Sequence, residues 1–537
     1  MRDLRVPEAA VPADVPRAGI RLPLPLLDVR SCHRRLGHLR PGRAESASAP
    51  AHDRPRRRAP RGGRLQRPGG ALVLGRSFGR PHLVLSRFVR FLDERTGSAP
   101  FARKALRYLF PDHWSFLLGE VALYAFIVLV ATGVYLTLFF HPSTAVTTYH
   151  GSYAPLRGMQ MTEAYRSVVD ISFDVKAGLL IRQTHHWAAD VFVAAIVLHL
   201  MRVFFTGAFR KPRELTYVIG VLMLLLTLPE GYLGYSLADD LLSGMGLAIG
   251  YAVALSFPII GANLALLIWG GPFPGDGTFW SRMYVMHVFV LPILIGTLLA
   301  VHLALVASRH HTQFRRKDRQ SERRILGIPA FPGQAPRSLA LFFSVAAVLF
   351  LLGGLVQINP VWLWGPYHVG ESTNGAQPDW YLGWLIGALR LVPHFDVVIG
   401  DRTLVPNPFW GGALFPMVVF GALFIWPWLE RRVTGDRRAH NVLDRPRDAP
   451  WRTAIGAGFL TWVFLIFFAG AADRIYVFLG ISYISQIWAY RGLVIVAPFI
   501  VLFVTRKVCL ALQRAEAIEA EQEQAEHEAA RAEAAAT

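Results

Sequence analysis

Cysteine is almost missing from this chain: Cys32 and Cys509 are the only two in 537 residues. That scarcity excludes a disulfide framework, iron–sulfur clusters held by this chain's own thiolates, and any Cys-x-x-Cys-His tether for a prosthetic group. Charge is scarce as well, 17% against 53% hydrophobic residues, which excludes an ordinary soluble enzyme and points to a polytopic membrane protein. The formal charge of +19 resembles a nucleic-acid signal, but its placement excludes that reading. Residues 1–80 hold 18 Arg and 6 acidic residues, so 12 of the 19 net charges lie in one Arg- and Pro-rich segment without lysine. Little apolar periodicity runs through it, and disorder is expected. Two origins stay open: a basic arm on anionic lipid, or translation from an upstream start, which is favoured. The segment also lacks the long apolar core of a secretory signal.

What the chain has is apolar length. Runs able to cross a bilayer fall at about 115–140, 186–206, 216–237, 284–307, 338–357, 411–429, 454–473 and 490–508. The stretch 241–269 is also apolar, but Gly244, Gly246, Gly250, Pro258 and Gly261 break it, and a hairpin of short helices on or in the membrane is expected. Connections after the second, fourth and sixth runs are rich in basic residues: Arg202, Arg210, Lys211 and Arg213; then Arg309 through Arg324; then Arg431 through Arg452. The alternate connections are poor in them. Eight spans, both termini cytoplasmic, preserve that alternation; nine would break it.

Two of these spans carry paired histidines, His185 and His199 in the second, His287 and His302 in the fourth. Separations of 14 and 15 residues extend about 21–22 Å along a helix and stay within about 60° of one face. Both spans run from outside to inside, so His185 pairs with His287 near the outer surface and His199 with His302 near the inner one. Two imidazoles per layer fit the axial positions of a haem iron. A lone membrane histidine is often only a helix-bridging hydrogen-bonder, but four at matched depth favour two haems. Arg182, Arg202 and Arg282 lie near the membrane boundaries, where guanidinium groups can fork onto haem propionates. Gly119 and Gly133 in the first span, with Gly220 and Gly234 in the third, repeat the 14-residue interval and would let a flat macrocycle lie against backbone.

These residues together resemble cytochrome b, the membrane core of quinol:cytochrome c oxidoreductases. Arg182-x-x-His185 and His199-x-x-Arg202 match its second helix, His287 and His302 its fourth, and Pro378-Asp379-Trp380-Tyr381 resembles its Pro-Glu-Trp-Tyr box. The likeness covers roughly residues 105–510. Pro111 to Phe116 and Gly234 to Asp240 are similar to the actinobacterial form in particular. Asp379 stands for the usual Glu, and Ala238 for a usual proline, which would loosen the turn leaving the third span. The 15-residue spacing resembles the b6 and Gram-positive forms.

The resemblance implies an all-α polytopic membrane protein of eight transmembrane helices, the first four forming a dihaem four-helix bundle. Its organisation is expected as a basic extension over 1–100, the dihaem bundle over 101–310, a four-span region with the outer quinol-site box over 311–510, and an acidic, solvated cytoplasmic tail over 511–537. It implies two non-covalent haem b groups, low-potential outside and high-potential inside, in a cell-membrane complex that contributes to a proton gradient. Quinol, by the actinobacterial likeness menaquinol, would be oxidised outside and electrons delivered to quinone inside. Asp379 would take a quinol proton, with Tyr381 and Tyr235 beside it and Pro378 and Trp380 framing the pocket. Pro378-Asp379 also reads as a plain helix start. Ser308, Arg309, His310 and His311 are weaker candidates for the inner site, since boundary residues also snorkel. Expected partners are a Rieske iron–sulfur protein, a cytochrome c subunit, a second copy of the complex, a terminal cytochrome c oxidase, and lipid. Two rivals remain. A dihaem anchor of another quinone-linked enzyme would need neither the last four spans nor the Pro-Asp-Trp-Tyr box, and a proton-coupled transporter would be colourless.

Overall fold

The computed structural model describes residues 82–315, 322, 326–373 and 379–536. The expected extension therefore lies outside the described residues over 1–81, as do Pro378 and most of the basic connection after the fourth span. The end of that extension departs from expected disorder: His82–Thr96 and Ala99–Leu106 are helices. Phe88, Phe91 and Leu92 recur there at helical spacing, interleaved with Arg87, Arg90 and Arg95, and leave an exposed aromatic stripe.

Among the described residues, eight helices are long and apolar enough to cross a membrane: Trp114–Thr137, Gly178–Phe205, Glu214–Ser236, Gly277–Arg309, Ala330–Leu355, Trp410–Thr434, Pro450–Gly470 and Tyr483–Ala536. The punctuated stretch is the expected pair of short helices, Leu241–Leu255 and Gly261–Trp269. Asp240 starts the first of them through a reciprocal capping box with Ser243. The second span begins eight residues earlier than hydropathy suggests, because Arg182 and Gln183 dilute the apolar signal while continuing the helix. The eighth runs unbroken into the acidic tail. No Gly or Pro interrupts residues 499–536, and Glu516 anchors the stem through Arg445 at 2.6 Å and Arg447 at 3.3 Å.

Small residues let the first, second and fifth spans approach closely, through Ala122, Ala125, Ala188 and Ala195 packed with Val128, Phe192 and Leu349. The sixth, seventh and eighth spans and the short helix Gly383–Leu391 build a second cluster from Ala388, Leu391, Phe415, Val419, Ile466, Ala469 and Ile487. Short ribbons stitch the loops at each end. At the His199 end, Gln313–Phe314 pairs in parallel with Val442–Leu443, and the backbone N–H groups of His440 and Asp444 donate to Lys211 and Thr206. The basic loops after the second, fourth and sixth spans thus share one end. At the His185 end, Asp240 bridges Pro366, and Tyr367 N–H donates to Asp239 O at 3.0 Å.

Candidate functional site

The four histidines fall in two layers. His185 and His287 face each other with ring centroids 6.2 Å apart and ring planes at 88°. Two metal–imidazole bonds of about 2.0–2.1 Å, each prolonged by about 1.1 Å to the ring centre, separate centroids by roughly 6 Å. One metal ion fits that gap. In the other layer His199 lies within electrostatic range of His302.

The helix carrying the 15-residue pair contains a π-turn, Met286–Val290, at His287. Fourteen α-helical residues leave a phase of about −40° and fifteen about +60°; the one extra residue of a π-turn takes back about 100°. Both helices therefore present their imidazoles in the same phase. Each glycine predicted to make room faces one imidazole. A Cβ on Gly133 would stand 3.2 Å from His185 Cε1, on Gly234 2.5 Å from His287, on Gly119 3.3 Å from His199 and on Gly220 3.6 Å from His302.

Two arginines also lie in place. Arg182 donates through both terminal nitrogens to Asn359 O at 3.2 Å, while its buried Nε has no partner. Arg202 has Nε and Nη2 buried without partners, its guanidinium 4.0 Å from the Phe116 ring centre. Buried, orphaned guanidinium nitrogens beside facing imidazoles fit a macrocycle bearing carboxylates. Arg282 does not join them. Its side chain is half exposed, 3.8 Å from Asp276, because the turns before His287 point it toward the loop.

At the His185 end the Asp379 carboxylate accepts from His186 Nε2 at 2.6 Å and from the Tyr381 hydroxyl at 2.9 Å. Asp190 lies one turn past His186, and one ligand atom from each of His186, Asp190 and Asp379 falls within 4.8 Å of the others. Asp190 Oδ1 is buried without a partner, as is the Tyr235 hydroxyl. Tyr381 is buried and Trp380 is 41% exposed, so the box turns one aromatic inward and one outward. Burial pushes the Tyr381 phenol well above its usual range, reinforced by Asp379. Beyond Tyr235, Asp240 is fully buried, and Asp239 is held at φ +50 with Oδ2 accepting from Thr162 Oγ1 at 2.5 Å. Burial pushes the Asp239 carboxyl up to about 7. Ala238 is buried at this turn.

The sequence reading missed His186, Asp190, Thr132 and Glu230. The first two carried a faint signal, a polar pair one turn apart inside an apolar span. Thr132 Oγ1 sits 2.9 Å from His185 Nδ1, and Glu230 Oε1 3.0 Å from His287 Nδ1. At the opposite end, Ser308 turns its hydroxyl onto Leu305 O, and the Arg309 and His310 carbonyls accept from Arg213. His310 stacks on Tyr108 at 5.6 Å, and His311 lies against Phe110. A cavity of about 60 Å³ opens nearby among His113, Phe116, Gln313 and Phe314.

A family model described as cytochrome b(N-terminal)/b6/petB matches residues 190–366. The cytochrome bc1 complex cytochrome b subunit of Streptomyces coelicolor is 45% identical over 428 residues, 80% of this chain and 78% of that protein. Its counterpart in Mycobacterium bovis is 46% identical over 435 residues, covering 81% and 78%. That of Corynebacterium efficiens is 45% identical over 425 residues, covering 79% and 78%. Among solved structures, a chain of a hyperthermophilic respiratory Complex III shares the fold at TM-score 0.59 and 20% identity, covering 78% of this chain and 99% of that one. The spans, the two imidazole layers and these relatives converge: the chain belongs to the cytochrome b family, as a cytochrome b subunit of the bc1 type.

Proposed function

We propose that this subunit of a quinol:cytochrome c oxidoreductase holds two haem b groups and oxidises quinol, menaquinol by its actinobacterial likeness, at the His185 end. The observation that carries the reading is the paired layering of four imidazoles, each facing a glycine. His185 and His287 would hold one haem iron and His199 and His302 the other, with propionates on Arg182 and Arg202. When bound, the haems supply two one-electron carriers stacked across the bilayer. Glu230 and Thr132 keep the protons of their imidazoles on Nδ1. A carboxylate oxygen accepts, and the Thr132 hydroxyl already donates to Val128 O at 2.7 Å, so Nε2 is left free for metal.

Asp379 is the base for a quinol proton, its carboxylate oriented from both sides by His186 and Tyr381. The buried, unpartnered Tyr235 hydroxyl offers the quinol oxygen a hydrogen bond. Trp380 lines the opening; Pro378, outside the described residues, belongs to the same box. The basic loops gather at the His199 end, which supports reading that end as cytoplasmic, with both termini on that side and protons released on the other. Electrons would leave toward an inner quinone beside Arg202, His113 and Phe314. A Rieske protein, a cytochrome c subunit, a second copy of the complex and a terminal oxidase are the proposed partners. The test is Asp379→Asn. Quinol oxidation is expected to fall by about 10²–10⁴ with both haems retained, and unchanged turnover would remove Asp379 from the reaction.

A further inference from the structure

The two layers differ in what meets the far nitrogen of each imidazole. Glu230, in the third span one turn before Gly234, places Oε1 3.0 Å from His287 Nδ1, and its own carbonyl lies 3.1 Å from the same nitrogen. Its Oε2 is buried without a partner, and its side chain is only 18% exposed. Across the layer, Thr132 Oγ1 accepts a hydrogen bond from His185 Nδ1–H at 2.9 Å. In the other layer neither His199 Nδ1 nor His302 Nδ1 has a hydrogen-bond partner, and His302 merely approaches the Thr216 carbonyl.

An ionisable side chain inside a membrane span is expensive and calls for a functional reason. A carboxylate accepting from a ligand's Nδ1–H pushes electron density through the ring to Nε2. It also adds negative charge near the iron, and both effects favour the oxidised metal. On the haem reading above, we infer that Glu230, assisted by Thr132, sets the potential of the haem between His185 and His287 below that of the haem between His199 and His302. The membrane-crossing electron step would then run downhill because of one half-buried glutamate on the third span. Glu230 acts through His287 and touches neither quinol nor the reacting atoms; its part is to tune.

The test is a spectroscopic redox titration of the purified complex with Glu230→Gln, which keeps shape and removes charge. Both haems are expected to remain. The lower-potential transition should rise by at least tenfold in its reduction equilibrium, about 59 mV for a one-electron couple, while the other stays put. Thr132→Val should move the same transition in the same direction by less. An unmoved lower transition in Glu230→Gln, or an equal movement of both transitions, would overturn the inference. Should Glu230→Gln lose its haem, Thr132→Val and Glu230→Asp decide. A raised lower transition in the former with a near-native one in the latter supports the inference; the reverse ends it. Absence of b haem in the unaltered complex would instead defeat the haem reading itself.

Discussion

The two ends of the helix bundle use the same scaffold for different ends. At the His185 end every imidazole has a hydrogen-bonded neighbour, and a half-buried carboxylate, Asp379, stands beside them with both oxygens engaged. At the opposite end His199 Nδ1 and His302 Nδ1 have no such partners, and the surroundings are aromatic and cationic: Phe116, Phe314, His311 and Arg202. The contrast teaches that helix phase and a facing glycine are common to both layers, whereas the tightest clearance and the polar neighbours belong to the His185–His287 layer alone. A periodic motif locates both layers, but only the neighbours distinguish them.

The comparison breaks most sharply at the imidazoles. His287→Ala should remove one haem and leave the other, halving the haem content and abolishing quinol oxidation; His302→Ala should halve the content equally. Haem assay against protein mass checks both. Glycine clearance gives the next contrast. A Cβ at Gly234 would press on His287 at 2.5 Å, whereas one at Gly220 would reach His302 at an ordinary 3.6 Å. Gly234→Ala is therefore expected to deplete the outer haem and Gly220→Ala to be nearly silent, read from the reduced spectrum.

A smaller effect is expected from His186→Asn, which loosens the hold on Asp379. Turnover should fall about 10–100-fold, as for other orienting partners, without change in haem content. The mildest effect is on stability. Asp239 is held protonated up to about pH 7 in the folded protein but ionises near 3.9 unfolded. Over that window the folded state binds more protons, so its stabilising contribution is complete below about pH 4 and is lost as pH rises through 7. Thr162, Asp240 and Tyr367 are the polar groups around it. Asp239→Asn should flatten the pH dependence of protection in hydrogen exchange across the turn after the third span, with no counterpart at the inner end.

Much of this was legible in the chain. Eight apolar runs, the broken stretch 241–269, four histidines and four glycines at matched intervals are one-dimensional patterns, and helices preserve them. Asp379 was legible through its box. Its holder His186 was not, because 193 residues separate the pair and adjacency to His185 hides it in the haem motif. Glu230 escaped for a related reason, since nothing local shows that the third span turns it toward the fourth. The π-turn at His287 was invisible too: a 15-residue interval looks like a small phase error until the backbone absorbs it. Arg282 was overread from its nearness to His287 in sequence, whereas the helix start directs it to Asp276.

Two haems at two depths between the second and fourth spans are what the four imidazoles would hold. The most direct measurement is the haem content and reduced-minus-oxidised spectrum of the purified chain in its complex. Two b haems per chain, resolving as two one-electron transitions, are expected; a single haem, or a colourless protein, would exclude haem ligation by the two imidazole layers.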